Sequence, residues 1–344
     1  MARADDELQQ RIEAFIAARS GAPARVGGLR RLTGGASRET WALDATVARD
    51  SGDETLPLIM QRDVRGKASG MSRSLEFALL RAAHGAGVLA PEPLWLSDGE
   101  IGAGQALFVR RIDGETLPRR LLRDDEYAGA RAALPGQLAE IAARIHAVDY
   151  RGAEGLSELQ APPEGVSPAV HEVSRFGQIL RVIAPEPHPV LDLALRWLTQ
   201  APPYRDARPD DERVLVHGDF RMGNVLFGPE GARAVLDWEL AHVGDPMEDL
   251  AWMCVRSWRF GGAKPVGGIG ERDAFYAAYE RASGRRVDPG RVRWWEVFGN
   301  VRWGIICISQ ARAYLDGHSN SVELASIGRR TAETEWELLE LLEG

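Results

Sequence analysis

Lysine is nearly missing from this sequence. Only Lys67 and Lys264 occur, so almost all of the 42 basic residues are arginine. The 50 acidic residues leave a net charge of -8, which argues against a general affinity for nucleic-acid phosphates. Cysteine is equally rare. Cys254 and Cys307 lie far apart in the sequence, which excludes a disulfide framework or a C-x-x-C metal pair.

Long apolar runs and targeting segments are also lacking. No run approaches the roughly 18 apolar residues that a membrane span needs. The first 20 residues carry acids where a signal peptide has a basic segment followed by an apolar one. We therefore expect a cytoplasmic protein whose partners include neither a membrane nor a nucleic acid.

Common phosphate-binding and hydrolase signatures are missing as well. The pairs Gly102-Ala-Gly104 and Gly268-Ile-Gly270 lack the third glycine of a dinucleotide fingerprint. No G-x-S-x-G elbow, H-E-x-x-H pair or Walker lysine loop occurs. What is present is an ordinary globular composition, with 44% hydrophobic and 27% charged residues. A length of 344 residues suggests about two domains.

The hydrophobic pattern changes character along the chain. Residues 1–20 have the periodicity of an amphipathic helix, and 26–59 contain short apolar runs broken by glycines, which predicts three strands. A helix at 71–83 and strands at 94–96 and 106–112 complete a mostly antiparallel region. The later part reads as mainly helical, with helices predicted at 124–148, 245–256, 271–283, 291–314 and 321–342. Nine prolines between 162 and 209 predict an irregular segment.

The most informative stretch begins with HGDFRMGN at residues 217–224. It places Asp219 and Asn224 five positions apart after a short apolar strand, and a following hairpin leads to Asp237. Phosphoryl transfer from a nucleotide needs a carboxylate to orient the acceptor hydroxyl, together with oxygen ligands for magnesium. Two carboxylates and an amide in this order provide those groups.

The motifs HGDFRMGN, LDWE and GDPMEDLA resemble the aminoglycoside phosphotransferase and choline kinase family, nearest the branch found fused to acyl-CoA dehydrogenases. The resemblance implies a protein-kinase-like α+β fold with two lobes. The N-terminal nucleotide-binding lobe, an antiparallel sheet with one helix, would span 1–112, and the mainly helical catalytic and acceptor-binding lobe 113–344. The implied cofactors are ATP, with GTP as the alternative donor, and Mg²⁺, and the implied partner is a small-molecule hydroxyl acceptor.

The same resemblance assigns roles to individual residues. Asp219 would be the catalytic base, and Asn224 and Asp237 would be the magnesium ligands. His217 would shape the loop, and Asp249 would support it. Asp245 has a structural interpretation of its own, because Asp245-Pro-Met-Glu248 is the pattern of a helix capping box.

Nucleotide contacts are expected in the upstream half. Gly34, Gly35 and Ser37 lie in a glycine turn whose backbone amides could approach phosphates. Glu76 shares a helical face with apolar residues and is expected to point inward. The family resemblance implies that it pairs there with a basic residue on the third strand. No lysine lies on that strand. Arg62 is favoured for the role, with Gln61 and Lys67 as alternatives. The backbone from Arg110 to Ile112 would contact the adenine edge.

The acceptor is the least determined feature of the sequence. Arginines among aromatic residues, at positions Arg256, Arg259, Arg293 and Arg302, suggest an anionic acceptor. The resemblance to the branch fused to acyl-CoA dehydrogenases implies a hydroxyacyl or other carboxylate-bearing acceptor. The alternatives are an aminoglycoside-type antibiotic kinase and, because the strand lysine is missing, a nucleotide-binding module without catalysis. A protein-directed kinase is disfavoured, since the stretch from Asp237 to Asp249 is too short for an activation segment. The sequence alone identifies neither the acceptor nor the oligomeric state.

Overall fold

Short alternating apolar runs in the first part of the chain form strands, and longer helical patterns follow. The computed structural model describes residues 2–32, 38–63, 70–102, 104–184, 186–203 and 213–343. The chain forms two compact units. The first comprises 1–115 with 149–159 and 233–240, and the second comprises 116–148, 160–232 and 241–344. The sequence predicts a division between residues 112 and 113 that separates a nucleotide-binding lobe from a catalytic lobe. That functional division stays a prediction.

The first unit is built on a five-stranded antiparallel sheet. Its elements are α1 (Ala2–Ser20), β1 (Ala24–Leu32), β2 (Arg38–Val47), β3 (Glu54–Asp63), α2 (Arg73–Gly85), β4 (Pro93–Asp98) and β5 (Gln105–Arg110). The strand order is β1-β2-β3-β5-β4. The three strands predicted before residue 60, the two later ones and the internal helix are all present.

The two faces of this sheet carry different helices. The apolar stripe of α1, including Ile12 and Ile16, is buried in one core with Leu58 and Met60 of β3. Successive strand residues point to opposite faces. Gln61, next to Met60, accepts a hydrogen bond from Arg73 Nη1 at 3.4 Å, so α2 lies on the face opposite α1.

The second unit is mainly helical. Its helices are α3 (Pro118–Arg123), α4 (Ala128–His146), α5 (Pro168–Ile183), α6 (Pro189–Gln200), α7 (Pro246–Cys254), α8 (Arg272–Ser283), α9 (Pro289–Leu315), α10 (Val322–Ile327) and α11 (Thr331–Glu343). The short strands β6 (Val214–Val216), β7 (Val225–Gly228), β8 (Gly231–Val235) and β9 (His242–Gly244) form two-stranded sheets, β6 with β9 and β7 with β8. The first unit resumes within β8.

The prediction of an irregular segment at 162–209 was wrong for much of that stretch. Helices α5 and α6 occupy it, and Pro168 and Pro189 lie in the first turns of these two helices. Proline is tolerated there because its missing N–H would have no helical partner. Ser167 caps α5, since its side chain accepts from Val170 N. None of the helices that the structure describes is long and apolar enough to cross a membrane.

Candidate active site

A sharp loop after β6 carries the HGD motif. Gly218 has φ 75°, a left-handed conformation that glycine adopts without a steric penalty. The carboxylate of Asp249, on α7, accepts hydrogen bonds from the backbone N–H of His217 at 2.8 Å and of Gly218 at 2.9 Å. His217 also shapes the loop, because its Nδ1 accepts from the Asp219 N–H at 3.2 Å. Two buried side chains therefore fix the path of the backbone into Asp219.

The charge on Asp249 is stabilised inside the protein. The residue is fully buried, and burial by itself would raise its pKa. His146 Nε2, 3.2 Å from Asp249 Oδ2, and the backbone N–H of His217 outweigh that effect and hold the pKa of the Asp249 carboxyl below its ordinary value. Tyr279 Oη lies 2.8 Å from His146 Nδ1 and continues the network. Asp249 thus supports the loop as an ionised acceptor.

The Asp219 carboxylate is held by three side chains. Trp252 Nε1 donates to Oδ1 at 2.8 Å, and Arg221 Nε donates to Oδ1 at 3.0 Å and to Oδ2 at 3.2 Å. Asn224 Nδ2 donates to Oδ2 at 2.6 Å and to the Asp219 carbonyl at 3.0 Å. These contacts fix the orientation of a carboxylate that is 8% exposed.

Asn224 and Asp237 carry the donor atoms that magnesium prefers. Both hydrogen bonds of Asn224 to Asp219 use the amide nitrogen, so its Oδ1 is the atom suited to a cation. Asp237 is exposed and belongs to the first unit. Its φ of 66° is a left-handed conformation that costs a non-glycine residue free energy, and such conformations cluster at functional sites. The following Trp238 is buried and donates from Nε1 to Val235 O at 3.0 Å.

The start of α7 has the predicted N-cap but not the reciprocal contact of a capping box. The Asp245 side chain accepts from Met247 N at 2.9 Å. Glu248 does not return to the cap. Instead its two carboxylate oxygens contact His242 Nε2 at 3.2 Å and Arg302 Nη1 at 2.9 Å. Asp245 is structural, as the sequence predicts.

Glu76 is buried, as its helical spacing predicts, but its cationic partners are not the one expected. Arg73, one turn earlier on α2, places Nη1 2.7 Å from Glu76 Oε2. Arg38, the first residue of β2, lies 3.3 Å from the same oxygen and reaches Glu239 Oε2 at 3.0 Å with Nη2. Burial raises the pKa of the Glu76 carboxyl above its ordinary value, although both arginines oppose that shift.

The predicted pairing of Arg62 with Glu76 was wrong. Arg62 shares a face of β3 with Leu58 and Met60, which point toward the core under α1, whereas Glu76 lies on the other side of the sheet. Arg62 Nε donates instead to Glu39 Oε2 at 2.6 Å, directly across the β2–β3 pair. The side chain on the Glu76 face is Gln61, which contacts Arg73.

Sequence reasoning missed Arg38 and Arg73. Two signals were available: Arg73 precedes Glu76 by three residues, a spacing that brings helical side chains together, and Arg38 directly follows the glycine turn. Gly34, Gly35 and Ser37 lie outside the described residues, as does Lys67. Their assignments stay predictions.

The segment expected to contact adenine ends β5. The N–H of Arg110 donates to Glu92 O at 2.9 Å, and the N–H of Arg111 donates to Pro57 O at 2.9 Å. The Arg110 side chain pairs with Glu92 at 2.6 Å. Among the residues that the structure describes, none accepts a hydrogen bond from the Ile112 N–H. The contact of Arg110 and Ile112 with a nucleotide base stays a prediction.

The four arginines proposed for the acceptor divide into two groups. Arg256 and Arg259 line a cavity of about 1330 Å³ in the second unit. Arg302 is buried, paired with Glu248, and stacks over the Trp252 ring at 4.9 Å, so it is structural. Arg293 donates to Leu341 O at 2.6 Å on α11. Only the first two are placed to meet a ligand in this cavity.

Comparison with known proteins identifies the family. The family model described as "Phosphotransferase enzyme family" matches residues 28–295, which include residues 217–224, the proposed catalytic loop, and the Arg38–Glu76 network. This chain belongs to that family. The two-lobed α+β fold predicted from the sequence is confirmed by its structural neighbours.

Three relatives illustrate the range of similarity. Acyl-CoA dehydrogenase family member 11 of Rattus norvegicus is 32% identical over 183 residues, 51% of this chain and 22% of that protein. The chain thus spans about a fifth of the length of such relatives. A putative aminoglycoside phosphotransferase from Ralstonia eutropha is 23% identical with TM-score 0.74, covering 96% of this chain and 98% of its own. Spectinomycin phosphotransferase in complex with ADP and spectinomycin is 14% identical with TM-score 0.60, at 96% and 98% coverage.

Proposed function

We propose that this protein transfers the γ-phosphoryl group of ATP, with GTP as the alternative donor, to a hydroxyl group of a small molecule in the presence of Mg²⁺. The observation that carries the proposal is the Asp219 carboxylate, held by Trp252, Arg221 and Asn224 on a loop that Asp249 supports. Membership of a phosphotransferase family and similarity to an ADP complex support it.

As the base, Asp219 would contribute mainly by its position next to the acceptor hydroxyl, and its basicity would matter less. In a loose transition state the acceptor proton leaves late, so a carboxylate within hydrogen-bond reach of the hydroxyl mainly orients the attacking oxygen. Trp252 and Arg221 both donate to Oδ1, whereas Asn224 donates to Oδ2. These donors limit the rotation of the carboxylate, which would hold it in position to accept the proton.

Asn224 and Asp237 fit a magnesium ion by donor type. Mg²⁺ commonly takes one or two protein carboxylates and completes its coordination with water and phosphate oxygens. Asn224 Oδ1 and the Asp237 carboxylate would supply the protein's share. When bound, the ion would neutralise charge on the transferred phosphates. Among the described residues there is no cluster of three or more histidine, cysteine or acidic side chains that could hold a metal.

On the nucleotide side, Arg38 would take the position that the sequence assigned to Arg62. Its guanidinium lies between Glu76 and Glu239, so two carboxylates fix a planar cation suited to forked contacts with phosphate oxygens. Gly34, Gly35 and Ser37 would add backbone and hydroxyl donors, and the Ile112 N–H would donate to the base.

The acceptor that we propose is anionic, with hydroxyacyl compounds as the first class to test. The arginines of the cavity support this choice, and the relatives named as acyl-CoA dehydrogenase family members carry a similar segment. Aminoglycosides are the alternative class, because solved structures of similar fold bind spectinomycin. Those ligands are cations, and arginines around the cavity would repel them.

A purified-protein screen tests this function. ADP release and acceptor mass would be followed with Mg²⁺ and ATP over panels of hydroxyacyl-CoA thioesters and aminoglycosides. We expect phosphorylated hydroxyacyl products and no aminoglycoside product. Phosphorylation of aminoglycosides alone would overturn the acceptor class. Binding of ATP without any product across both panels would contradict the enzyme and favour a nucleotide-binding module.

A further inference from the structure

The cavity in the second unit has a strongly basic wall. Five arginines from separate parts of the chain line it: Arg119, Arg123, Arg256, Arg259 and Arg330. The acidic residues in the wall are Glu333 and Glu337. At about 1330 Å³ the cavity exceeds the roughly 300–1000 Å³ of common small-molecule pockets. It has room for an extended, charged ligand.

Ion pairs neutralise three of these five arginines. Arg256 Nη1 lies 3.1 Å from Glu337 Oε2, and Arg330 Nε lies 3.2 Å from Glu333 Oε2. Arg259 contacts Glu296 at 3.3 Å and the Cys254 carbonyl at 2.9 Å.

Arg119 and Arg123 are different. Both are exposed, and within the described part of the chain neither has an ion-pair partner. They lie four residues apart on α3, so their side chains share one helical face. Two adjacent cations repel each other, and an anion bound between them would relieve the repulsion.

The cavity wall is continuous with the catalytic loop. Phe260 lines the cavity, and a Cβ placed on Gly223, next to Asn224, would lie 3.6 Å from its ring. The guanidinium of Arg221, which holds Asp219, lies 4.6 Å from the centre of the Trp258 ring, and Trp258 packs beside Phe260. A molecule in the cavity is therefore separated from the catalytic loop by one layer of aromatic side chains.

We propose that this cavity binds the phosphate groups of a phosphate-bearing acceptor, and that Arg119 and Arg123 are its principal ligands for them. Guanidinium groups match phosphate oxygens with paired hydrogen bonds, and each such bond is stronger than a neutral one. The exposed Trp336 ring at the rim offers an apolar face to an adjoining planar group. The proposal rests on the proposed function, because it assigns the substrate class of the same site.

A titration tests binding without requiring turnover. Pyrophosphate would be titrated calorimetrically, in metal-free buffer, into the full chain, the Arg119→Gln/Arg123→Gln variant and a control. The control is Arg281→Gln/Arg286→Gln, which removes two exposed arginines outside the cavity and changes the net charge equally. We expect the control to bind like the unmodified chain and the cavity variant to bind at least about tenfold more weakly. Absence of binding to the unmodified chain, or equal binding by all three, would overturn the proposal.

A kinetic comparison connects the cavity to the acceptor. A hydroxyacyl-CoA thioester and the matching hydroxyacyl-pantetheine thioester share the hydroxyl and differ in their phosphates. We expect kcat/KM at least about tenfold higher for the CoA thioester, with the difference lost in the cavity variant and kept in the control.

The two experiments separate failure of this inference from failure of the proposed function. Equal kcat/KM for the two thioesters would overturn the phosphate site and leave the phosphotransferase intact. Turnover of neither thioester would contradict the hydroxyacyl acceptor, and the pyrophosphate titration would still decide the cavity.

Discussion

The catalytic loop and the Arg38–Glu76 network differ in how far apart their members lie in the sequence. Asp219, Arg221 and Asn224 belong to one loop, and their contacts span at most five residues apart from the Trp252 bond. The network brings together the first residue of β2, the first turn of α2 and Glu239 after β8. Because the residues around Asp219 are close together in the sequence, their spacing alone predicts that they meet. The Arg38–Glu76 network depends on strand register and helix placement, which the spacing does not show.

The two regions also use charge differently. Around Asp219 the donors converge on one carboxylate, which is the proposed proton acceptor. Around Glu76, Arg38 and Arg73 both contact one buried carboxylate. The guanidinium of Arg38 also contacts Glu239, so a carboxylate lies on each side of it. In the proposed function, the first arrangement would orient a base and the second would hold a cation for the nucleotide phosphates. Substitutions in the two regions should therefore change different kinetic constants.

Asp219→Asn should have the largest effect on rate. The amide keeps the shape of the side chain and removes its ability to accept the proton, so kcat should fall by about 10²–10⁴-fold while ATP binding changes little. Steady-state kinetics and ATP titration would measure both. Asp273→Asn, at an exposed position in the first turn of α8, is the matched control and should behave like the unmodified protein. Unchanged kcat in Asp219→Asn would remove the base assignment.

Arg38→Gln should act on the nucleotide instead. The substitution removes the guanidinium that we propose as the contact to the phosphates of ATP, so we expect kcat/KM for ATP to fall about 10- to 100-fold. It also leaves Glu76 and Glu239 without their shared partner. Arg73 still pairs with the buried Glu76, so the free energy of unfolding should fall by only about 2 kcal/mol. Arg38→Lys, which keeps the charge, should restore part of the loss. If kcat falls and KM for ATP stays the same, Arg38 does not contact the nucleotide.

Asp249→Asn should weaken the support of the catalytic loop. The neutral amide is a poorer acceptor for the His217 and Gly218 N–H groups, so we expect a loss of about 3 kcal/mol in unfolding free energy and a fall in kcat of about tenfold. Urea unfolding and kinetics would measure these. A loop that tolerates the change without loss of kcat would show that Asp249 is not needed to position Asp219.

Asp249 also predicts a pH dependence. Its pKa is lower in the folded protein than in the unfolded chain, so the ionised group stabilises the fold above the unfolded value of about 3.9. That stability should be lost as the pH falls from there through the lower folded pKa. The Asn variant should lack this part of the acid sensitivity in unfolding curves recorded between pH 5 and pH 2.

Arg62→Gln should have the smallest effect on kcat/KM for ATP. It is the control for Arg38→Gln, because it removes an arginine outside the Arg38–Glu76 network. Arg62 pairs with Glu39 and lies over the Trp41 ring, on the sheet face opposite Glu76. We expect kcat/KM for ATP to stay within about threefold of the unmodified value, since this ion pair lies on the face of the sheet opposite Glu76 and is partly exposed. A loss as large as that of Arg38→Gln would restore the assignment made from the sequence.

The errors made from the sequence have identifiable physical causes. Apolar spacing was enough for the strands of the first unit, for most helices and for the inward position of Glu76. Arg62 is the wrong partner because alternation along β3 does not indicate which face of the sheet α2 covers. The prolines at 168 and 189 indicate breaks when only the sequence pattern is considered, but each lies in the first turn of a helix. The sequence therefore predicts individual strands and helices, but it does not predict which side chains of distant elements pair.

The most direct test of the central claim is the identity of the reaction product. Phosphorus NMR would follow the unmodified protein with Mg²⁺, ATP and a hydroxyacyl-CoA acceptor. The account predicts a new phosphomonoester signal on the acceptor that grows in step with ADP, and almost none with Asp219→Asn. ADP and inorganic phosphate without a new phosphomonoester, or equal product from the variant, would contradict it.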